Sequence, residues 1–172
     1  MKCPPVMARE AERLEALAEY GLSSECRLPS LDSVVRLAAS EFGMPVAAVN
    51  MIGSDHVYFA ASVGVGDVDM SRDVSFCAHA ITQDDVMVVP DATADERFHD
   101  NPLVTGPAGL RFYAGAPLLS PDGFALGALC VIDSNPHREF SQEDRDRLRE
   151  LADMAAYRLE IHRGEISKRK PR

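Results

Sequence analysis

Apolar residues recur with helical periodicity in three long segments of the chain. This periodicity predicts amphipathic helices from Ala8 to Tyr20, from Ser30 to Phe42 and from Ser141 to about Arg163. Ser30 and Ser141 are placed to cap their helices, the latter with Asp144, and glycines at 21, 43 and 164 mark the ends. The apolar stripes are Ala11, Leu14, Leu17 and Ala18; Leu31, Val34, Val35, Ala38 and Phe42; and Leu148, Leu151, Ala152, Ala155, Leu159 and His162. The last stripe suits packing either on the protein's own sheet or on a second subunit.

Between the second and last helices, the apolar positions form short runs typical of β-strands. Two hairpins and one further strand are predicted, with a short crossing helix from Ser75 to Ile81 and a long connection from Asp91 to Leu110. The strands are Val46–Ile52, Val57–Ser62, Val86–Val89, Arg111–Leu118 and Phe124–Ile132. The predicted fold is α+β, with a central antiparallel sheet of five to six strands, the N- and C-terminal helices on one face and a ligand loop on the other.

Composition narrows the range of partners. Hydrophobic residues make up 46% of the 172 residues, which fits one folded domain. The net charge of -9 argues against nucleic acid as a partner, although the end of the chain from Lys168 is basic. No apolar run is long enough to span a membrane, and the N-terminus leads into charged residues. We therefore expect a cytoplasmic protein without nucleic-acid or membrane partners.

Four sequence runs resemble those of bacterial GAF domains, the subgroup found with diguanylate cyclases and sensor histidine kinases. They are Ser75–Ile81, Val89–Ala92 with Arg97-Phe98, Arg111–Leu118 and Leu126–Asp133. The resemblance implies a GAF/PAS-like fold over residues 9–163, between a flexible N-terminus (1–8) and a basic flexible tail (164–172). It departs at Tyr58–Gly64, where relatives commonly carry a tryptophan and this chain has none.

The resemblance implies a non-catalytic sensory or regulatory domain of bacterial signal transduction, such as a two-component system. Its ligand is an unidentified small molecule, no cofactor is specified, and a homodimer through the terminal helices is expected. The resemblance ends near Arg163, so the chain is either a stand-alone module or a fragment that works with a signalling output domain or protein. A purely structural interaction domain with a collapsed pocket stays open.

The candidate ligand-binding residues are Cys77, Phe98, Arg111 and Tyr113. Strand alternation places Arg111 and Tyr113 on one face and Phe112 on the other, under the helices. Arg111 is also suited to a salt bridge with a nearby acid. We favour this structural role for Arg111 over contact with a ligand. The candidate partners for that bridge are Asp91, Asp95 and Glu96.

No catalytic or metal-binding residues are predicted. Cys77 and His79 stand two residues apart on a predicted helix, so their side chains diverge and do not form a metal or thiolate-imidazole pair. The enzymatic alternative is free methionine-R-sulfoxide reduction, which some stand-alone GAF proteins perform. Cys77 resembles one cysteine position of those enzymes, but the Asp91–Leu110 connection offers no resolving thiol for it.

Overall fold

A single antiparallel sheet of six strands organises the part of the chain that the computed structural model describes, residues 1–23, 27–66 and 68–169. The elements in chain order are α1 (Glu10–Ala18), α2 (Asp32–Phe42), β1 (Val46–Ile52), β2 (His56–Val63), β3 (Met70–Ser71), α3 (Phe76–Ala80), β4 (Met87–Val89), α4 (Pro102–Thr105), β5 (Phe112–Leu119), β6 (Ala125–Asp133) and α5 (Gln142–Arg169). The strands lie in the order β3-β2-β1-β6-β5-β4. The predicted α+β fold is confirmed, and β3 is a strand that the sequence pattern did not indicate.

The sheet separates two apolar cores. On one face, Leu17 of α1, Val34 of α2 and Leu148 of α5 pack against inward residues of the strands. On the other face lie α3 and the connection that contains α4. Phe112 belongs to the helix-side core and Tyr113 to the opposite one, as strand alternation predicts.

The middle of the sheet depends on a close approach between β1 and β6. A Cβ atom at Gly127 would lie 2.0 Å from the backbone oxygen of Asn50. Only glycine allows this spacing, because any side chain would push the two strands apart. On the other side of β1, the pairing with β2 shifts register between Val49 and Asn50. Gly127 and the register shift together set the backbone position of Asn50.

The helices differ from the sequence predictions in three places. In α1, Ala11 and Ala18 are exposed, and Arg13 is buried instead. Ser30 does not cap α2, because Pro29–Leu31 form a 3-10 turn and α2 begins at Asp32 without a side-chain cap. The last helix does not end at Gly164.

Helix α5 continues to Arg169, so residues 164–169 of the predicted flexible tail are helical; the rest of that tail, 170–172, lies outside the described residues. A glycine inside a helix costs only about 1 kcal/mol, which the surrounding turns offset. The predicted Ser141–Asp144 capping box is confirmed, with Asp144 N donating to Ser141 Oγ at 3.1 Å and Ser141 N to Asp144 Oδ2 at 3.0 Å. None of the described helices has the length and apolar character needed to cross a bilayer.

Candidate functional site

A cleft of about 310 Å³ opens on the sheet face opposite the terminal helices. Its floor is formed by β1, β2 and β6, and its walls by the β2–β3 segment and residues from Leu103 to Leu110. We call it the sheet cleft. Its lining residues are Val46, Ala48, Asn50, Phe59, Gly64, Val65, Val68, Met70, Leu103, Ala108, Leu110 and Ile132. Among these twelve, Asn50 is the one with a polar side chain.

A smaller space of about 30 Å³ continues from the sheet cleft towards α3. The two spaces share Asn50, Met70, Leu103, Leu110 and Ile132, so these side chains form the boundary between them. The inner space is further lined by Ser75, Phe76, Cys77 and Tyr113. The inner space therefore lies between the sheet cleft and α3.

Asn50 lies at the centre of a buried polar cluster. Its Nδ2 donates to Cys77 Sγ at 3.3 Å and lies 3.9 Å from Cys130 Sγ, and Tyr113 Oη donates to Cys77 Sγ at 2.9 Å. Asn50 Oδ1 is buried and has no hydrogen-bond partner among the residues that the structure describes. An unpaired buried acceptor is costly, and in native proteins it often marks a place where a ligand or water binds.

The cluster shifts the pKa values of its acids in opposite directions. Burial raises the pKa of the Cys77 thiol, but hydrogen bonds from Cys130, Tyr113 and Asn50 outweigh burial and lower it below its usual range. The hydrogen bond to Cys77 and burial raise the pKa of Cys130, and burial followed by the charge of Cys77 raises that of Tyr113. Both cysteines are free and buried. The cluster therefore favours deprotonation at Cys77 first, in a position shielded from solvent.

Three of the four predicted site residues lie together beneath the segment between β4 and β5 that contains α4. Cys77 and Tyr113 line the inner space. Phe98 is fully buried one layer away, where it stacks on Phe76 with ring centroids 3.9 Å apart. It does not line either space. Phe98 thus supports the wall of the inner space through Phe76.

Arg111 lies at the edge of this group, and within the described part of the chain it does not form the predicted salt bridge to a nearby acid. Its Nη1 donates to the backbone oxygens of Val104 and Leu110, at 2.9 and 3.0 Å. The acid Asp95, a predicted partner, pairs with Arg97 at 2.9 Å instead. Arg111 therefore fastens the α4 segment, which forms one wall of the sheet cleft, to the start of β5.

Sequence reasoning missed Asn50, Phe59 and the proximity of Cys130 to Cys77. Asn50 stands in a nearly continuous apolar run. A single polar residue in such a buried run was the signal in the sequence that could have identified it as a site residue. Cys130 is 53 positions from Cys77 along the chain, and only the sheet brings them to one amide. His79 points away from Cys77 and contacts Lys2 O through Nε2 at 3.2 Å, as the predicted divergence requires.

A second depression, of about 440 Å³, lies where α1 meets the end of α5. We call it the α1–α5 depression. It is larger than the sheet cleft, but its charged lining residues pair with one another: Arg163 contacts Glu160 at 2.6 Å and Glu19 at 3.1 Å. No unpartnered buried polar atom is recorded there among the described residues. The sheet cleft is the better candidate for a ligand site.

Comparisons with known proteins agree with this architecture. Residues 28–159 match the sequence profile of the GAF domain. A cyclic di-GMP phosphodiesterase of Pseudomonas aeruginosa is 36% identical over 159 residues, which are 92% of this chain and 27% of that protein. The chain thus corresponds to about a quarter of the length of this relative.

Solved structures with the same fold come from several functional classes. The GAF domain of an Acinetobacter phosphoenolpyruvate-protein phosphotransferase aligns with a TM-score of 0.64 at 18% identity, covering 92% of this chain and 96% of that one. Free methionine-R-sulfoxide reductase from Neisseria meningitidis aligns with a TM-score of 0.65 at 19% identity, covering 90% and 88%. At these identities the likeness extends to the fold alone.

Proposed function

Because the chain belongs to the GAF domain family, we propose that it is a regulatory module that binds a small molecule in the sheet cleft and performs no catalysis itself. The observation that carries this proposal is the apolar cleft of about 310 Å³ with a single polar side chain at its inner end. That size lies at the lower end of the range for small-molecule sites, and a mostly apolar lining with few polar groups is typical of them.

The similar Pseudomonas protein supports a signalling context. It is a cyclic di-GMP phosphodiesterase, and this chain matches 27% of its length. We infer that the chain is a sensory domain. Ligand binding to it would change the activity of an output segment or protein. Hydrolysis of cyclic di-GMP is not assigned to the chain itself, because none of the twelve described lining residues of the sheet cleft carries a charge that could hold phosphates.

A chain of polar contacts supports transmission from the cleft to α5. Met70 lines the cleft, and two residues later Arg72 pairs with Glu10 of α1. Just beyond the C-terminal end of α1, Tyr20 donates a hydrogen bond to Glu160 of α5. A movement of the β2–β3 segment on ligand binding would therefore pull on α1, which in turn is tied to α5.

The enzymatic alternative has one observation in its favour, the contact of Asn50 with both Cys77 and Cys130. Both sulfur atoms are nevertheless enclosed, with Cys77 2% and Cys130 0% exposed. A buried thiol packs as a small apolar group and reacts slowly. Turnover of free methionine sulfoxide by the purified chain with a thiol reductant would favour the reductase over the regulatory module.

Ligand binding is tested by titration with N-phenyl-1-naphthylamine, a neutral dye whose fluorescence rises in apolar surroundings. We expect one saturable site with a dissociation constant on the order of 10 µM, because the cleft can enclose most of a molecule of this size. The measurement is fluorescence at increasing dye concentration. The absence of saturable enhancement would contradict the proposal and favour a structural domain with a collapsed pocket.

Dimerisation through the terminal helices is the second part of the proposal, and we assign it to a face of α5 other than the Leu148–Leu159 stripe. The Leu148–Leu159 stripe packs on the protein's own sheet. Met154, Tyr157 and Ile161 form a second apolar stripe, exposed by 36%, 69% and 49%. Helical periodicity places it on the opposite side of α5. A second copy of this helix is the occupant that such a stripe fits.

Replacing Tyr157 with glutamate is expected to weaken self-association by about tenfold or more, because a charge would enter an apolar interface. Light scattering should give a mass near twice 18.8 kDa for the wild-type chain and a lower mass for Tyr157→Glu. Tyr157→Phe, which keeps the ring, should associate like the wild type. A wild-type chain that stays monomeric at high concentration would rule out this interface.

A further inference from the structure

We propose that the sheet cleft recognises a small, neutral, largely apolar molecule that carries one hydrogen-bond donor, and that Asn50 Oδ1 accepts this hydrogen bond. The inference rests on the proposed function and specifies the chemistry of its ligand. It combines the character of the cleft lining with the unpaired oxygen at the boundary of the inner space.

The described lining of the sheet cleft disfavours a charged ligand. None of the twelve residues around the sheet cleft is charged, and an ion transferred into such surroundings loses its hydration without gaining a counter-charge. The volume sets the size, since an apolar cavity of about 150 Å³ is enough to hold benzene. At about 310 Å³, the cleft suits a molecule of one to three rings or a short branched chain.

Asn50 determines whether the polar group of the ligand is a hydrogen-bond donor or an acceptor. Its Nδ2 is engaged by the two sulfur atoms, which leaves Oδ1 as its unsatisfied polar atom. An amide oxygen only accepts hydrogen bonds, so the complementary group on the ligand is an N–H or O–H. A ligand with an acceptor in this position would face Oδ1 with like partial charge and would be disfavoured.

Met70 lies with Asn50 at the boundary between the sheet cleft and the inner space. This side chain borders both spaces and lies on β3, a two-residue strand at the edge of the sheet. Methionine is unbranched and changes rotamer at low cost. Its displacement would join the two spaces and let a donor reach the amide oxygen. The same displacement would move the segment that leads to Arg72.

The proposal is tested with three ring molecules of similar size: indole, which has an N–H donor; 1-methylindole, which has none; and 1-indanone, which has only an acceptor. The chain contains no tryptophan, so the fluorescence of bound indoles can be followed without background from the protein. 1-Indanone is measured by competition with the dye. We expect indole to bind about five- to tenfold more tightly than the other two, as one buried hydrogen bond allows.

The variant Asn50→Leu should remove this preference, giving equal affinity for indole and 1-methylindole. Asn135→Leu makes the same substitution at an exposed position outside the cleft and should keep it. Equal binding of the three molecules by the wild-type chain, or tighter binding of 1-indanone, would overturn the inference whether or not Asn50→Leu folds. It would leave the proposed function intact, whereas failure of the dye and all three molecules to bind would contradict both.

Discussion

Replacing Glu10 with glutamine is expected to lower the free energy of unfolding by about 3–5 kcal/mol, because it leaves two buried guanidinium groups without a counter-charge. Glu10 receives two hydrogen bonds of 2.9 Å from Arg13, and it also pairs with Arg72. The side chains of Arg13 and Arg72 are only 1% and 8% exposed. Urea unfolding of the wild type and of Glu10→Gln at neutral pH measures the difference.

The control is Glu12→Gln on the same helix. Glu12 pairs with Arg9, and both side chains are more than half exposed. We expect little change in stability there, because solvent screens the pair. A loss at Glu12 equal to that at Glu10 would show that the effect comes from α1 as a helix and not from the buried cluster.

The same cluster predicts a pH dependence. Hydrogen bonds from Arg13, and next those from Arg72, lower the pKa of Glu10 to about 2 against an ordinary value of 4.5, although partial burial opposes this. A carboxyl group with a lowered pKa in the folded state stabilises the protein above its unfolded pKa, and that contribution disappears as the pH falls from about 4.5 to 2. The stability difference between the wild type and Glu10→Gln should therefore shrink across this pH range.

Replacing Phe98 with alanine is expected to cost about 3–5 kcal/mol of stability, because it opens a cavity in the core on the cleft side of the sheet. Phe98 is fully buried between Phe76, His79 and Arg97; its ring centroid lies 4.8 Å from that of His79 and 4.9 Å from the Arg97 guanidinium carbon. Thermal or urea unfolding measures the loss.

Phe59→Ala is the matched comparison, since Phe59 is only half-buried and lines the sheet cleft. We expect a smaller loss of stability and a several-fold weaker affinity for N-phenyl-1-naphthylamine. The reverse result, in which Phe98→Ala keeps full stability but loses the dye, would support the sequence prediction that Phe98 contacts the ligand.

Most of the fold could be predicted because its elements carry strong local signals. The stripe of α5 and its Ser141–Asp144 box fix the start and buried face of that helix. The turn of the second hairpin is specified by Gly123, which has a positive φ of 86°. Where local signals are weak, the prediction failed. Arg13 is buried because Glu10 supplies its counter-charge, and Glu10 is held in turn by Arg72, which is 59 positions from Arg13 in the chain.

The candidate site was harder to predict for the same reason. Cys77 and Tyr113 were identified, and the structure brings them within 2.9 Å of each other. Asn50, which also donates to Cys77, comes from a third element, and its backbone position depends on Gly127 across the sheet. Arg111, by contrast, donates hydrogen bonds to two backbone oxygens. Such contacts cannot be predicted by matching charged side chains in the sequence. The composition of the candidate site therefore depends on tertiary contacts between elements that are distant in the sequence.

The central claim, that the sheet cleft is the ligand site, is tested most directly by hydrogen exchange of the chain with and without saturating N-phenyl-1-naphthylamine. We expect slower exchange in the described residues between β2 and β3 and in residues 103–110, which contribute to the cleft walls. Protection confined to the α1–α5 depression, or no protection at saturation, would contradict it.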